Sequence, residues 1–262
     1  MDRLSAFPVQ KKKGRMVFRY TEKGLAWADG NGLGIQLIYP GNAITPDSDP
    51  ELLEIAGNTV DVMQRWHDMN TGNSFFVAAV RIGYDQAIIL RELHKYALNT
   101  KPNGFRKENP RGIENSCRVT NALSEMFCMS AGNVIRVFGN FPRNVNAEFR
   151  DLRAWGAFLV SAVQHEGIIS GISIFSEKGE NCTIANPGPS MEVLLVRNGI
   201  PSEKLKSERF EFKTSPSEKI ELLPEKLTSK QSIYETVHDR LTVRSLTGYC
   251  AAGIVQQNAG RS

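Results

Sequence analysis

The spacing of apolar residues changes once along this chain. From about Pro50 to Ala131 they recur every three or four positions; after Asn133, to about Leu223, they alternate. These are the periods of an α-helix and of a half-buried strand. The expected architecture is therefore helical pairs followed by a β-domain, with the boundary near Gly132.

Four helices are predicted. Asp49 is a good N-cap, Pro50 suits the first helical position, and Glu51 sits where the helix dipole favours an acid. Leu52, Ala56, Val60, Met63 and Trp66 then form one apolar face. The second helix begins near Asn73 and is apolar nearly all round, from Phe75 through Ile82, as a helix buried on several sides would be. The third starts at Asp85, with Ile88, Ile89, Leu93, Tyr96 and Ala97 as its stripe, and Lys101-Pro102-Asn103-Gly104 ends it. The fourth runs from about Cys117 to Met129, stopped by Ala131-Gly132-Asn133. Short connections between them predict tandem antiparallel pairs.

The strands expected next are 134–138, 157–163, 168–175, 182–185, 191–196, 209–212 and 219–222, with turns at 165–167 and 177–180. Short strands at this spacing predict an antiparallel β-sandwich. Residues 1–49 lack strong periodicity and are expected to be an irregular entry segment; residues 50–132 carry the helices, residues 133–223 the sandwich, and residues 224–262 a poorly ordered tail.

Composition narrows the class. Of 262 residues 41% are hydrophobic, enough for a packed core, and 32 basic against 28 acidic side chains leave a formal charge of only +4. Wholesale disorder and fibrous states are excluded. No apolar run approaches the ~20 residues that span a bilayer, so no membrane partner is expected. The basic run Lys11-Lys12-Lys13-Gly14-Arg15 reads as a solvated loop; a nucleic-acid patch is the lesser alternative, and no nucleic-acid partner is expected. Met1 to Lys13 contains no apolar stretch of the kind a signal peptide needs. Cys117, Cys128, Cys182 and Cys250 form no CxxC pair, and the four histidines are dispersed, so no metal, cofactor or disulfide framework is expected. Cys117 and Cys128 fall three turns apart on the expected fourth helix.

No glycine-rich phosphate loop, GxSxG elbow or HExxH helix occurs. What remains are carboxylates, amides and aromatic rings in loops that bracket helices. Three loops stand out: 38–44, with Tyr39 and Asn42; 68–74, with Asn70 and Asn73; and 104–116, with Glu114 and Asn115. Sugar hydroxyls need directional partners and sugar ring faces need a platform, and these residue types provide both. Each also has a purely structural role open to it. Tyr39 suits a core, Asn70 and Asn73 suit helix caps, Glu114 suits a helix dipole, and Trp27, Trp66 and Trp155 suit packing.

Taken in order, these segments resemble the C-terminal half of glycoside hydrolase family 95, the α-L-fucosidase and α-L-galactosidase family, and related bacterial sequences. Ile38-Tyr39-Pro40-Gly41-Asn42 is similar to that family's LYPGNQI-type segment. Asn70-Thr71-Gly72-Asn73-Ser74 is similar to its TGWS helix start. Gly112-Ile113-Glu114-Asn115, running into Asn121-Ala122-Leu123-Ser124-Glu125-Met126, is similar to its QIDGNFG…IAEM segment. Ile135-Arg136-Val137-Phe138, the stretch 152–160 and Ser176-Glu177-Lys178-Gly179 resemble its C-terminal β-domain. The likeness spans about Gly32 to Leu223.

The resemblance implies an (α/α)6 barrel with β-domains and an inverting glycosidase that needs no metal. In such an enzyme one carboxylic acid protonates the leaving oxygen. A second carboxylate, ~6.5–9.5 Å away, activates water on the opposite face. The base position is Glu114 here, where the family has aspartate. Tyr39, Asn42, Asn70, Asn73 and Asn115 would line the sugar site. The family's general acid lies upstream of the matched stretch, and no residue here corresponds to it. The tryptophan of TGWS is Asn73 here, and the family's NPW is Asn186-Pro187-Gly188.

The implied partners are an oligosaccharide or polysaccharide substrate and the N-terminal half of the same protein, in a secreted or periplasmic enzyme. Twelve barrel helices with their loops need roughly 190 residues. Residues 50–131 hold about four helices, so apolar faces would be left for another segment to cover. A chain lacking the acid is expected to be inactive alone. The alternative is a non-catalytic carbohydrate-binding or structural module with the β-region as its working part.

Overall fold

The structure, a computed structural model, describes residues 7–19, 33–68, 72–108, 113–188 and 191–224. Four helices precede a β-rich, antiparallel C-terminal region.

The entry segment is more ordered than its composition suggests. β1 (Val9–Lys12) and β2 (Arg15–Phe18) form a hairpin. Its two-residue turn, Lys13-Gly14, has both φ angles positive, as tight hairpin turns require. The basic run is thus a hairpin tip, and one of its cations, Arg15, is paired with Asp61. Val17 and Phe18 are buried. The Phe18 amide donates to Thr59 Oγ1 at 3.0 Å, and that hydroxyl donates to the Ile55 carbonyl at 2.7 Å. A helix side chain thereby satisfies a strand edge.

α1 spans Pro50–Met63; Asp49 caps it by accepting from the Glu51 amide at 2.9 Å. It ends at Gln64 in the left-handed region, so Trp66 lies beyond the helix, buried against Phe75 and Phe76. α2 is Gly72–Arg81, and every residue from Ser74 to Val80 is buried. α3 is Gln86–Leu98, capped by Asp85. Ile89, Glu92, Leu93 and Tyr96 are its buried residues, while Ala97 is exposed. α4 is Ile113–Phe127, beginning and ending earlier than its apolar spacing indicates. Cys128 therefore leaves the helix and opens β3 (Cys128–Met129), which pairs with β4 (Arg136–Val137).

The C-terminal strands are β5 (Ala147–Ala154), β6 (Phe158–His165), β7 (Ile168–Ser176), β8 (Asn181–Ala185), β9 (Val193–Arg197), β10 (Ile200–Leu205), β11 (Arg209–Lys213) and β12 (Glu218–Pro224). Six form one sheet in the order β10-β9-β12-β7-β6-β5; β8 and β11 form a separate pair. Inward residues of both, among them Phe158, Ile174, Leu222, Ile184 and Phe210, share one buried cluster. The helices and the entry segment build a second cluster around Phe75, Phe76 and Val80. Phe141 packs against both.

One expected strand is shortened, and two strands, β5 and β10, form where none was expected. The strand expected at 134–138 is only two residues long, because Phe138 turns away with φ 51°. β5 escapes the alternation rule because the register shifts between Phe149 and Leu152, with Asp151 at φ 53°. β10 carries Pro201, Glu203 and Lys204, as an edge strand tolerates. Among the described residues no helix is long and apolar enough to cross a membrane. Of the tail, only Pro224 falls within the described residues.

Candidate active site

Among the described residues α2 and α4 make the most extensive helix–helix contact. Arg81, the last residue of α2, grips Glu125 near the end of α4: Nε donates to Oε2 at 2.8 Å and Nη2 to Oε1 at 2.6 Å. Antiparallel helices meeting at their last turns would scarcely overlap, so α2 and α4 run in the same direction. α3 follows α2 after a short turn and packs back along it, Tyr96 near its C-terminus meeting Phe76 in the middle of α2, ring centroids 6.1 Å apart. This differs from simple neighbour pairing: the principal partner of α2 is two helices away. The N-termini of α2 and α4 consequently share one end of the group.

That shared end is polar within an apolar frame. Arg106, 5% exposed, lies over the Tyr96 ring at 5.1 Å and donates through Nη1 to the His67 carbonyl at 2.7 Å and through Nη2 to Glu108 at 3.0 Å. The His67 ring stacks on Tyr96, with centroids 6.4 Å apart and 19° between planes. His67 Nε2 is 2.9 Å from Glu92, which also receives Lys95 at 2.8 Å and Arg91 at 3.1 Å. Burial by itself would raise the Glu92 carboxyl; its bonds to Lys95, His67 and Arg91 outweigh that and hold it at about 2.

Among the described residues Arg106 Nε has no hydrogen-bond partner, and Tyr96 Oη makes no hydrogen bond of ordinary geometry, the Ser116 hydroxyl being a polar neighbour. Both residues are at least nine-tenths buried. Ser116, in the first turn of α4, spends its proton on the Gly104 carbonyl at 2.6 Å. Burial pushes the Tyr96 phenol up, a shift reduced by Arg106 and by the nearby Ser116 hydroxyl. A buried phenol and guanidinium of this kind are equipped to bind a hydroxyl or a carbonyl oxygen.

The residues named from sequence divide into three groups. Asn73, Glu114 and Asn115 fall in the first turns of α2 and α4, at the shared end; their side chains lie outside the described residues, as does Asn70 entirely. Tyr39 is at the opposite end, half-buried under Arg81, whose guanidinium is 4.8 Å from its ring centroid. About 12 Å of helix axis separates Asn73 from Arg81, so Tyr39 is not brought together with Glu114. Asn42 is exposed in the same turn as Tyr39, at φ 52°. Here Gly41 is obligatory, because a Cβ would come within 2.5 Å of the Gln36 carbonyl oxygen. The Tyr-Pro-Gly-Asn segment thus has a conformational reason to exist.

Of the tryptophans, Trp66 packs as expected, Trp155 is 69% exposed, and Trp27 lies outside the described residues. Cys128 and Cys182 are buried, their thiols pushed up to about 12 by desolvation, whereas Cys117 is exposed. His67, Glu92, Tyr96 and Arg106 were not singled out by sequence. One signal for them was present: Glu92 interrupts the apolar stripe Ile89, Leu93, Tyr96 of α3. Among the described residues no group of three or more His, Cys, Asp or Glu side chains is placed to hold a metal ion. Comparison of the chain with models of known protein families, and with curated proteins, finds no match.

Proposed function

We propose that this chain carries part of an inverting glycoside hydrolase of the family 95 kind, acting outside the cytoplasm on α-L-fucosyl or similar sugars of oligosaccharides or polysaccharides. In this reading the four helices belong to an (α/α)6 barrel, the two facing sheets are a β-sandwich, and the remaining helices come from an N-terminal half. Glu114 is the base. It takes a proton from water, whose oxygen attacks the anomeric carbon as the C–O bond to the leaving group breaks, inverting the centre. The general acid belongs to a segment with no counterpart here.

The observation that carries the reading is the parallel packing of α2 and α4 with α3 returning beside them. Alternate helices of a ring of helical hairpins run this way, and the resulting shared end carries Asn73, Glu114 and Asn115. Arg106 Nε, without a partner among the described residues, and the buried Tyr96 phenol at that end support a site that receives polar groups from a ligand.

The test removes the need for the missing acid. α-L-Fucosyl fluoride has a leaving group that departs without protonation, so a base alone suffices. The chain is expected to release fluoride and to form the inverted β-L-fucose, seen by proton NMR. Glu114→Gln should slow release by about 10²–10⁴-fold. Fluoride release that Glu114→Gln leaves intact, or none above the uncatalysed rate, overturns the assignment.

A further inference from the structure

The tip of the β5–β6 hairpin presents an indole to solvent on a backbone held from three sides. The Trp155 amide donates to Ser130 Oγ at 3.2 Å. The Ala157 carbonyl accepts from the Glu177 amide at 3.0 Å. Arg153, two residues before Trp155, is ion-paired with Glu177. Gly156 and Ala157 both have positive φ, and a Cβ on Gly156 would come within 2.5 Å of the buried Phe158 ring. A non-glycine residue in that region carries a small conformational cost. The tip is therefore fixed, while the ring it carries is 69% exposed. Burying a tryptophan is the ordinary use of so large an apolar surface, and here the fold withholds it.

A cleft lies on each side of the ring. One, about 570 Å³, runs between the C-terminal half of α4 and β5, where Asn121, Ser124 and Ser130 face it. The other, about 510 Å³, passes β8, where Asn133, Asn181 and Thr183 face it. Trp155, Gly156 and Ala157 line both, so the clefts meet at the tip. Their charges balance. Arg81 is paired with Glu125, Arg153 with Glu177, and Lys178 is offset by Glu180. A charged ligand gains little from such a surface. Amides and hydroxyls in two clefts beside an exposed aromatic face suit a ligand with apolar ring faces and many hydroxyls.

We infer that Trp155 is the stacking platform of a binding site for a neutral oligosaccharide, which lies across the tip and reaches into both clefts. Roughly 15 Å along the α4 axis separates Ser124 from Glu114, so this site is independent of the proposed catalytic end. Since the backbone of the tip is already held, binding needs to order only the indole side chain on the protein side.

Calorimetric titration of the full chain with cellotetraose, xylotetraose, galactotetraose and a fucosylated xyloglucan oligosaccharide tests the inference. At least one should bind; Trp155→Ala should weaken it tenfold or more, and Trp155→Phe by only a few-fold. Both variants should melt within a few degrees of the parent, because the ring is exposed. Binding of none of the four, binding indifferent to Trp155→Ala, or a sulfated analogue bound more tightly in a salt-dependent way would each overturn it. So would concentration-dependent self-association that Trp155→Ala abolishes, which would assign the ring to a contact between copies.

Discussion

Arg81 and Glu125 bind each other through two parallel hydrogen bonds, and both side chains are nearly removed from solvent, 11% and 12% exposed. The pair ties the last turn of α2 to α4 and, through the ring of Tyr39 beneath the guanidinium, to the turn at 38–44. Removing one partner strands a charge. Arg81→Met should cost about 3 kcal/mol, and Arg81→Met with Glu125→Leu distinctly less, since no unpaired charge then remains. Urea denaturation of the two single variants and the double variant gives the coupling directly. Equal loss in single and double variants would mean that packing, not charge, sets the cost.

Glu92 makes stability depend on acid. Its carboxyl is held at about 2 in the folded chain, below its ordinary 4.5, chiefly because bonds to Lys95, His67 and Arg91 outweigh burial. A depressed carboxyl stabilises above its unfolded pKa and loses that contribution as pH falls toward the folded one. Stability should therefore decline between pH 4.5 and 2, by up to about 3 kcal/mol from this group and less in high salt. Two of its three partners are more than half exposed, which weakens the pair in water. Thermal melts of the parent and of Glu92→Gln across this range should differ in slope; parallel curves would remove Glu92 from the account.

Gly41→Ala probes the turn that holds Tyr39. The added methyl would meet the Gln36 carbonyl oxygen at 2.5 Å, a backbone atom that cannot swing aside. A loss of roughly 1–3 kcal/mol is expected, with the amide signals of residues 36–44 displaced in NMR spectra. By contrast Gly57→Ala, in α1 with open space at its Cβ, should be neutral or mildly stabilising. Equal effects at the two positions would contradict the close approach at Gly41.

Much of the fold was legible because local signals and burial agreed. Asp49 and Asp85 each cap the helix they were expected to start, and the all-round apolar run of α2 is buried throughout. β5 was not legible, because a bulge at Arg150-Asp151 breaks the two-residue period. Nor was the hairpin at 9–18, whose short strands carry three lysines at or beside the turn. The candidate site was legible only in part. Asn73 and Glu114 could be placed at helix starts, but nothing local says that two helix starts separated by about forty residues share one end.

The succession from helices to strands after residue 50, and the aspartate caps of α1 and α3, were determined by sequence alone, because each rests on neighbours within a few residues. The tertiary structure decided which of those elements meet. It made α4 rather than α3 the main partner of α2, put Tyr39 at the far end from Glu114, and buried Arg106 over Tyr96 with Nε unpaired among the described residues. It also left Trp155 in solvent while burying Trp66. Both are large apolar rings with similar local preferences. Only the packing of distant segments determines which one finds a core to enter.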